Sequence, residues 1–262
     1  MGKIKIRGKP AIRTIDGEPR DVILLDNKKF EKFNPRVLGL GDICLPSKEV
    51  EALAAVFDLS GFTNFCSKVD PHLSVPEYLS RFLDWLFDEI RTELTAKSYT
   101  KVKALWAEPP FLAKFLGDGA LFLWDTRNMS ETRVCSIVDS LLEICNGYRN
   151  TFYPEIKKLV THPPKVLRCG IARGRVFSVG NGQDYVGSCI NMASRLQRLS
   201  DLTFCFSQRG FDIEQYMEEG YRRYFVERRV TILGIGENEL VWVLKREFNN
   251  LPEKEKELFR SP

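Results

Sequence analysis

Hydrophobic and polar positions change rhythm near Glu51. Residues 1–48 set short apolar stretches between proline and glycine breaks at Gly8-Lys9-Pro10, Asp16-Gly17, Pro35 and Pro46, which predicts an irregular, hairpin-bearing N-terminal extension. Residues 52–59 are a continuous apolar run broken only at Asp58, the pattern of a buried strand whose last turn carries one carboxylate. Leu79, Phe82, Leu83, Leu86, Phe87 and Ile90 then recur at three- and four-residue spacing, which predicts a core-packing helix over 78–94. Residues 111–115 and 120–124 read as two strands around Leu116-Gly117-Asp118-Gly119, where Asp-Gly is a strong hairpin signal. A helix over 131–149, a strand region over 166–179, a helix over 190–199 and short strands at 204–207 and 239–244 follow. The order β-α-β-β-α-β predicts an α+β, ferredoxin-like fold, a sheet with helices packed on one face. It occupies 49–247, with 248–262 as a charged C-terminal tail. There is no internal repeat.

Composition narrows the function classes. With 262 residues, 44% hydrophobic and 28% charged, the chain can bury a real core. No run of about 18 uncharged apolar residues occurs, and the opening MGKIKIRGKP alternates basic and apolar residues, so neither a membrane span nor a signal peptide is expected. The seven cysteines are scattered without CxxC spacing, which fits a reducing cytoplasm. The net charge is +4, and residues 1–50 alone, with 11 Lys and Arg against seven Asp and Glu, account for it. That is too mild for a dedicated nucleic-acid binder, so no nucleic-acid partner is expected. The two histidines, His72 and His162, each adjoin a proline, which argues against a histidine metal site or triad. Any catalysis rests on carboxylates.

Asp58 and Asp118 each end an apolar strand, where a carboxylate is rare unless it binds something. Two such groups on adjacent strands suit a pair of hard divalent ions; singly, Asp58 reads equally as a helix N-cap and Asp118 as a turn former. Ser60-Gly61-Phe62-Thr63 turns from strand into helix, and the backbone of Gly61, Phe62 and Thr63 is a candidate phosphate cradle. Asn191 and Arg195, four apart on a predicted helix, share a face; an amide there can orient a ribose and a guanidinium can neutralise phosphoryl charge. Read alone, they are an ordinary exposed helix face.

The strings AVFDLSGFTNF, KFLGDGALFLW and DYVGSCINMASRL resemble, in order and spacing, the catalytic domain of the class III nucleotidyl (adenylate and guanylate) cyclases, over roughly 51–245. The resemblance implies a lyase that converts a nucleoside triphosphate into its 3′,5′-cyclic monophosphate and pyrophosphate. It implies Asp58 and Asp118, with the Leu59 carbonyl, as ligands of two divalent ions, Mn²⁺ or Mg²⁺. Asn191 and Arg195 become the transition-state pair, and Lys114 and Asp184 the base-reading positions. It further implies a head-to-tail homodimer with composite active sites. One departure stands out: the family's triphosphate lysine is replaced by Leu233 in Ile232-Leu233-Gly234, so Arg228 or Arg229 must substitute or triphosphate binding weakens. That leaves room for a non-catalytic nucleotide-binding module, although both aspartates, Asn191 and Arg195 are present. No Gly-Gly-Asp-Glu-Phe string of the diguanylate cyclases occurs.

For the base, Lys114 with Asp184 matches the adenylate cyclase pair, which makes ATP one expectation. A Lys donor and an Asp acceptor are equally complementary to the N3/N4 edge of cytosine or to a uracil carbonyl beside its N3–H. As a single cyclase domain with a short basic extension, the chain resembles the Pycsar pyrimidine cyclases, which make cyclic UMP or CMP on phage infection and activate a separate effector. That resemblance places UTP, and then CTP, ahead of ATP. It implies antiphage signalling through a downstream cyclic-nucleotide-binding effector, with Tyr185, Phe57 or Phe115 filling the space a smaller base leaves.

Overall fold

The computed structural model of the chain describes residues 7–68 and 70–262, so residues 1–6 of the extension lie outside the described residues. The chain divides into two compact units: the residues up to Lys48 with Phe177–Val186, and Glu49–Val176 with Gly187–Pro262.

The larger unit is built on one mixed sheet. Its strands are β1 (Glu49–Ser60), β2 (Leu112–Phe115), β3 (Gly119–Asp125), β4 (Val166–Val179), β5 (Phe204–Ser207), β6 (Phe225–Ile232), β7 (Gly236–Leu244) and β8 (Phe259–Arg260), in the order β8-β6-β7-β5-β4-β1-β3-β2. β1 pairs antiparallel with β3 from Ala52 opposite Asp125 to Asp58 opposite Gly119, and β2 pairs antiparallel with β3. β5 runs parallel to β4 and antiparallel to β7. The helices are α1 (Pro71–Glu93), α2 (Glu131–Gly147) and α3 (Ser188–Leu196). This is the α+β, ferredoxin-like architecture that the element order predicts, with additional strands at one edge.

Strand parity explains how the sheet is covered. Successive side chains of a strand point to opposite faces, and the odd positions of β1, Leu53, Ala55, Phe57 and Leu59, join Phe82, Leu86 and Ile90 of α1 and Val134, Val138 and Leu141 of α2 in one core. Inside it the Tyr78 and Tyr148 hydroxyls are 2.7 Å apart, and Tyr148 donates to the Pro164 carbonyl at 2.6 Å. Tyr78 is therefore the donor to Tyr148, and both buried hydroxyls are satisfied. The even positions, Ala52, Ala54 and Val56, face the other way and are equally buried. They are small because α3 packs across β1 there.

Several elements depart from the sequence pattern. α1 starts at Pro71, well before residue 78, because Pro71 occupies the first helical turn, where its missing N–H is harmless; read in sequence, Pro71 and Pro76 look like breakers. α2 ends at Gly147 and passes into a π-helical turn, Tyr148–Phe152, which turns both Tyr148 and Phe152 into the core. β6 is absent from the sequence expectation because Glu227, Arg228 and Arg229 hide its alternation. Within the charged segment 248–262, Phe248, Leu251 and Phe259 are buried, and β8 pairs with β6.

In the smaller unit, Lys9–Ile15 and Glu18–Leu24 form an antiparallel hairpin. Its turn residues Asp16 and Gly17 both have positive φ, 52° and 83°, the geometry whose twist matches the strands. Residues 40–48 run beside the hairpin of Phe177–Val179 and Asp184–Val186, with the Lys48 N–H donating to Ser178 Oγ at 2.8 Å. None of residues 7–48 is buried, so this segment has no core of its own. All seven cysteines are free, and Cys135, Cys145, Cys169, Cys189 and Cys205 are buried. Among the described residues no helix is long and apolar enough to cross a membrane.

Asp139 of α2 is a buried acid whose Oδ1 has no hydrogen-bond partner. Burial first, then repulsion from Glu218 and Glu143, pushes its carboxyl up to about 7 from 3.8. A folded-state value above the unfolded one means the fold favours the protonated form, so stability falls as pH rises between those two values. Asp139→Asn removes that loss: its melting temperature relative to wild type should rise from pH 4 to pH 8. A pH-independent difference in parallel melting curves would contradict this.

Candidate active site

Parity that sends Phe57 and Leu59 into the core sends Asp58 to the α3 face, where it is 9% exposed. Directly opposite lies Gly119. A Cβ on Gly119 would lie 1.9 Å from the Phe57 carbonyl oxygen and 3.0 Å from Asp58 Cα, so only glycine can start β3 this close to β1. The turn before it uses Gly117 at φ 100° and closes through a Leu116 N–H bond to the Gly119 carbonyl at 2.9 Å. The Leu59 N–H then donates to the Asp118 carbonyl at 2.8 Å. These backbone contacts fix Asp118 beside Asp58.

The two aspartates feel each other. Burial raises the Asp58 carboxyl above its ordinary range, repulsion from Asp118 raises it further, and Arg198 and Arg168 pull it back down. Arg198 places Nη2 3.5 Å from Asp58 Oδ1 and 3.8 Å from Asp118 Oδ2. Arg168, on β4, has a buried Nε without a hydrogen-bond partner, and its Nη2 lies 3.6 Å from Asp201 Oδ1. Neither arginine stands out in the sequence reading. Arg198 was legible, because 191, 195 and 198 step by four and three along one helical face. Arg168 carries no such signal.

Close packing sets the position of α3. A Cβ on Gly170 would lie 2.1 Å from the Ala193 carbonyl oxygen and 2.4 Å from the Gln197 nitrogen, so β4 is bare where the helix crosses it. Cys189, Met192, Ala193 and Leu196 face the sheet, while Asn191 and Arg195 are exposed. Among the described residues Asn191 and Arg195 make no side-chain hydrogen bond or ion pair with the aspartates. The structure thus joins Asp58, Asp118 and Arg198, and leaves the Asn191/Arg195 pair presented outward.

Gly61 is left-handed at φ 82°, with nothing within 4 Å of where a Cβ would be, and the short helix Phe62–Cys66 follows. Phe62 is buried against Phe65 and Tyr78 and anchors this turn, and Thr63 is exposed. Lys114 is half-buried on β2, opposite Leu121 of β3. Asp184 opens the strand Asp184–Val186, and its Oδ1 accepts from the Tyr185 N–H at 2.9 Å. Phe57 cannot fill a base pocket: it is fully buried, with its ring edge-on to Phe122 at 6.0 Å. Phe115 is 45% exposed. Leu233 sits 81% exposed in the β6–β7 turn. Arg228 stacks its guanidinium over Phe248 at 4.2 Å, and Arg229 lies in register between Leu240 and Arg260.

The donor set fits hard divalent ions. Two carboxylates and a backbone carbonyl offer oxygen alone, and a cationic side chain already sits against both carboxylates. Among the described residues no cluster of three or more His, Cys, Asp or Glu side chains suited to a metal occurs, so these two carboxylates would need backbone and ligand oxygens to complete a coordination shell.

No family model matches the chain, and no curated protein matches it in sequence. Solved structures do share its fold. The guanylyl cyclase Cya2 matches with a TM-score of 0.57 at 17% identity, over 76% of this chain and 94% of that one. The adenylyl cyclase CyaB from P. aeruginosa matches at 0.56 and 14% identity, over 76% and 96%. A bacterial light-regulated adenylyl cyclase matches at 0.53 and 15% identity, over 83% of this chain and 60% of that one. Over about three quarters of its length the chain thus shares the fold of these guanylyl and adenylyl cyclases.

Gly170→Ala forces the α3 backbone off β4. We expect a stability loss of about 1–3 kcal/mol in denaturant melts, the range of overpacked cores. An unchanged midpoint would contradict the close contact.

Proposed function

We propose that the chain is a nucleotidyl cyclase, a phosphorus–oxygen lyase that converts a nucleoside triphosphate into its 3′,5′-cyclic monophosphate and pyrophosphate. The observation that carries this is the pair Asp58 and Asp118, held together at the α3 face on a class III cyclase fold. Asp58, Asp118 and the Leu59 carbonyl would hold two divalent ions, Mn²⁺ or Mg²⁺. Bound there, such ions would lower the pKa of the ribose 3′-hydroxyl and screen the triphosphate. The residues of the chain do the rest by position and charge. Asn191 orients the ribose, and Arg195 neutralises the charge that builds on the phosphoryl oxygens as the α-phosphorus is attacked. The backbone of Gly61, Phe62 and Thr63 adjoins Asp58 and offers N–H groups to the phosphates. Asn191 and Arg195 are exposed and make no side-chain hydrogen bond or ion pair with the aspartates among the described residues, so a second copy would supply them, giving a homodimer with two composite sites.

Lys114 and Asp184 take the base-reading roles. Their donor and acceptor chemistry suits a pyrimidine, and Tyr185 and Phe115 remain to fill the pocket. We therefore favour UTP to cyclic UMP, with CTP to cyclic CMP second, as an antiphage messenger read in the cytoplasm by a cyclic-nucleotide-binding effector. Adenylate cyclase is the second reading, favoured by the same Lys114/Asp184 pair and by the likeness to CyaB.

Purified protein with ATP, GTP, CTP or UTP and Mn²⁺ or Mg²⁺, analysed by mass spectrometry, should yield cyclic UMP or CMP. The product should vanish in Asp58→Ala and fall about 10²- to 10³-fold in rate in Arg195→Ala, the range for removing one transition-state donor. Cyclic AMP alone would overturn the pyrimidine reading, and no product from any nucleotide would leave the non-catalytic module.

A further inference from the structure

A cavity of about 740 Å³ opens in the larger unit, where the end of α2 and the π-helical turn after it meet the turn before β6 and the residues that end and follow β7. None of the residues placed in the cyclase site lines it. Its walls carry four cations, Arg149, Arg223, Lys245 and Arg246, all exposed, and two carboxylates, Glu143 and Glu247. The carboxylates already hold other partners. Glu247 accepts from the Thr203 N–H at 2.8 Å and from Thr203 Oγ1 at 2.6 Å, and Arg149 stands 3.5 Å from it. Glu143 accepts from the Tyr221 hydroxyl and, at 3.5 Å, from the Asn146 amide. Among the described residues Lys245 and Arg246 make no ion pair, and Arg223 lies over the ring of Tyr224. Like charges gathered around one cavity repel, and an anion between them relieves that repulsion.

We propose that this cavity binds a sugar phosphate. Three of the four cations are arginines, whose forked guanidinium matches phosphate oxygens in bidentate fashion. A phosphate monoester carries a charge of about −1.5 to −2 near neutral pH and three acceptor oxygens, so one group answers several cations where a carboxylate would answer one. The rest of the lining suits a body rich in hydroxyls. Asn146, Asn249 and Asn250 each bring an amide that both donates and accepts. Leu142, buried, and Leu244 supply apolar wall. The volume lies within the roughly 300–1,000 Å³ of small-molecule sites. The inference stands apart from the cyclase reading. A second basic cavity, with Lys68, Lys157 and Lys165, adjoins Gly61 and so the candidate phosphate cradle, which makes it the control.

Titration calorimetry of the full chain with ribose 5-phosphate in metal-free buffer should show one saturable site per chain. Inorganic phosphate and the sugar acid gluconate should bind there more weakly. In Arg223→Gln/Lys245→Gln/Arg246→Gln, whose side chains are exposed and leave the core intact, affinity should fall tenfold or more, roughly the effect of losing charge-assisted contacts. Lys68→Gln/Lys165→Gln should bind as wild type does. Absence of saturable binding, inorganic phosphate or gluconate binding as tightly as ribose 5-phosphate, or undiminished binding in the triple variant with a wild-type melting curve would each overturn the inference. Loss of binding in Lys68→Gln/Lys165→Gln would overturn it too, by moving the site to Gly61. A failure of the cyclase reading would show instead as absent cyclic product, with this binding unchanged.

Discussion

Two like charges held side by side, one buried and one half-buried, are the constraint around which the rest of the site is arranged. Asp58 is nine-tenths buried, and its carboxyl is raised by burial and by Asp118. A fold does not keep such a pair for stability, because each carboxylate would be better solvated alone. The pair persists because the backbone over-determines it. β1 and β3 are locked in register, Gly119 lets β3 start this close to β1, and the Leu59 N–H bond to the Asp118 carbonyl ties the turn to β1. The positive charge that answers them comes from Arg198 in the turn that follows α3, and from Arg168 on β4.

The two faces of the sheet divide the labour. The face under α1 and α2 carries Phe57, Phe122 and Trp124, which pack with Phe82 and Tyr148 of the helical layer in the main core. The face under α3 carries Ala52, Ala54, Val56 and Gly170, and so lets a helix approach closely enough to set charged groups on the aspartates. Rigidity on one side thus becomes positioning on the other. Asn191 and Arg195 are exposed on the same short helix.

The sequence made the centre of the fold legible and its edges less so. The apolar run of β1 and the Asp-Gly turn stood out because each is a local signal, and together they located both aspartates. Phe57 was misjudged as pocket lining although its parity with Asp58 already assigns it to the opposite face. β6 was hidden by Glu227, Arg228 and Arg229, whose charges sit on a half-buried strand beside β7 and β8. The C-terminal segment reads from its charge as a tail, and its Phe248, Leu251 and Phe259 are buried where β8 joins the sheet. The spacing of 191, 195 and 198 marks Arg198, but its contact with the aspartates depends on where α3 docks, and docking depends on Gly170, a residue distant in sequence.

In the proposed enzyme, a metal pair from one chain and the Asn191/Arg195 pair from another make a single active site. Mixing two inactive variants, Asp58→Ala and Asn191→Ala, tests it directly. If sites are composite and subunits exchange, half of the dimers become mixed, each with one intact site, and cyclase activity should return to about one quarter of the wild-type level. Activity that stays at the level of either variant alone, in mixtures shown to contain mixed dimers, would contradict the account.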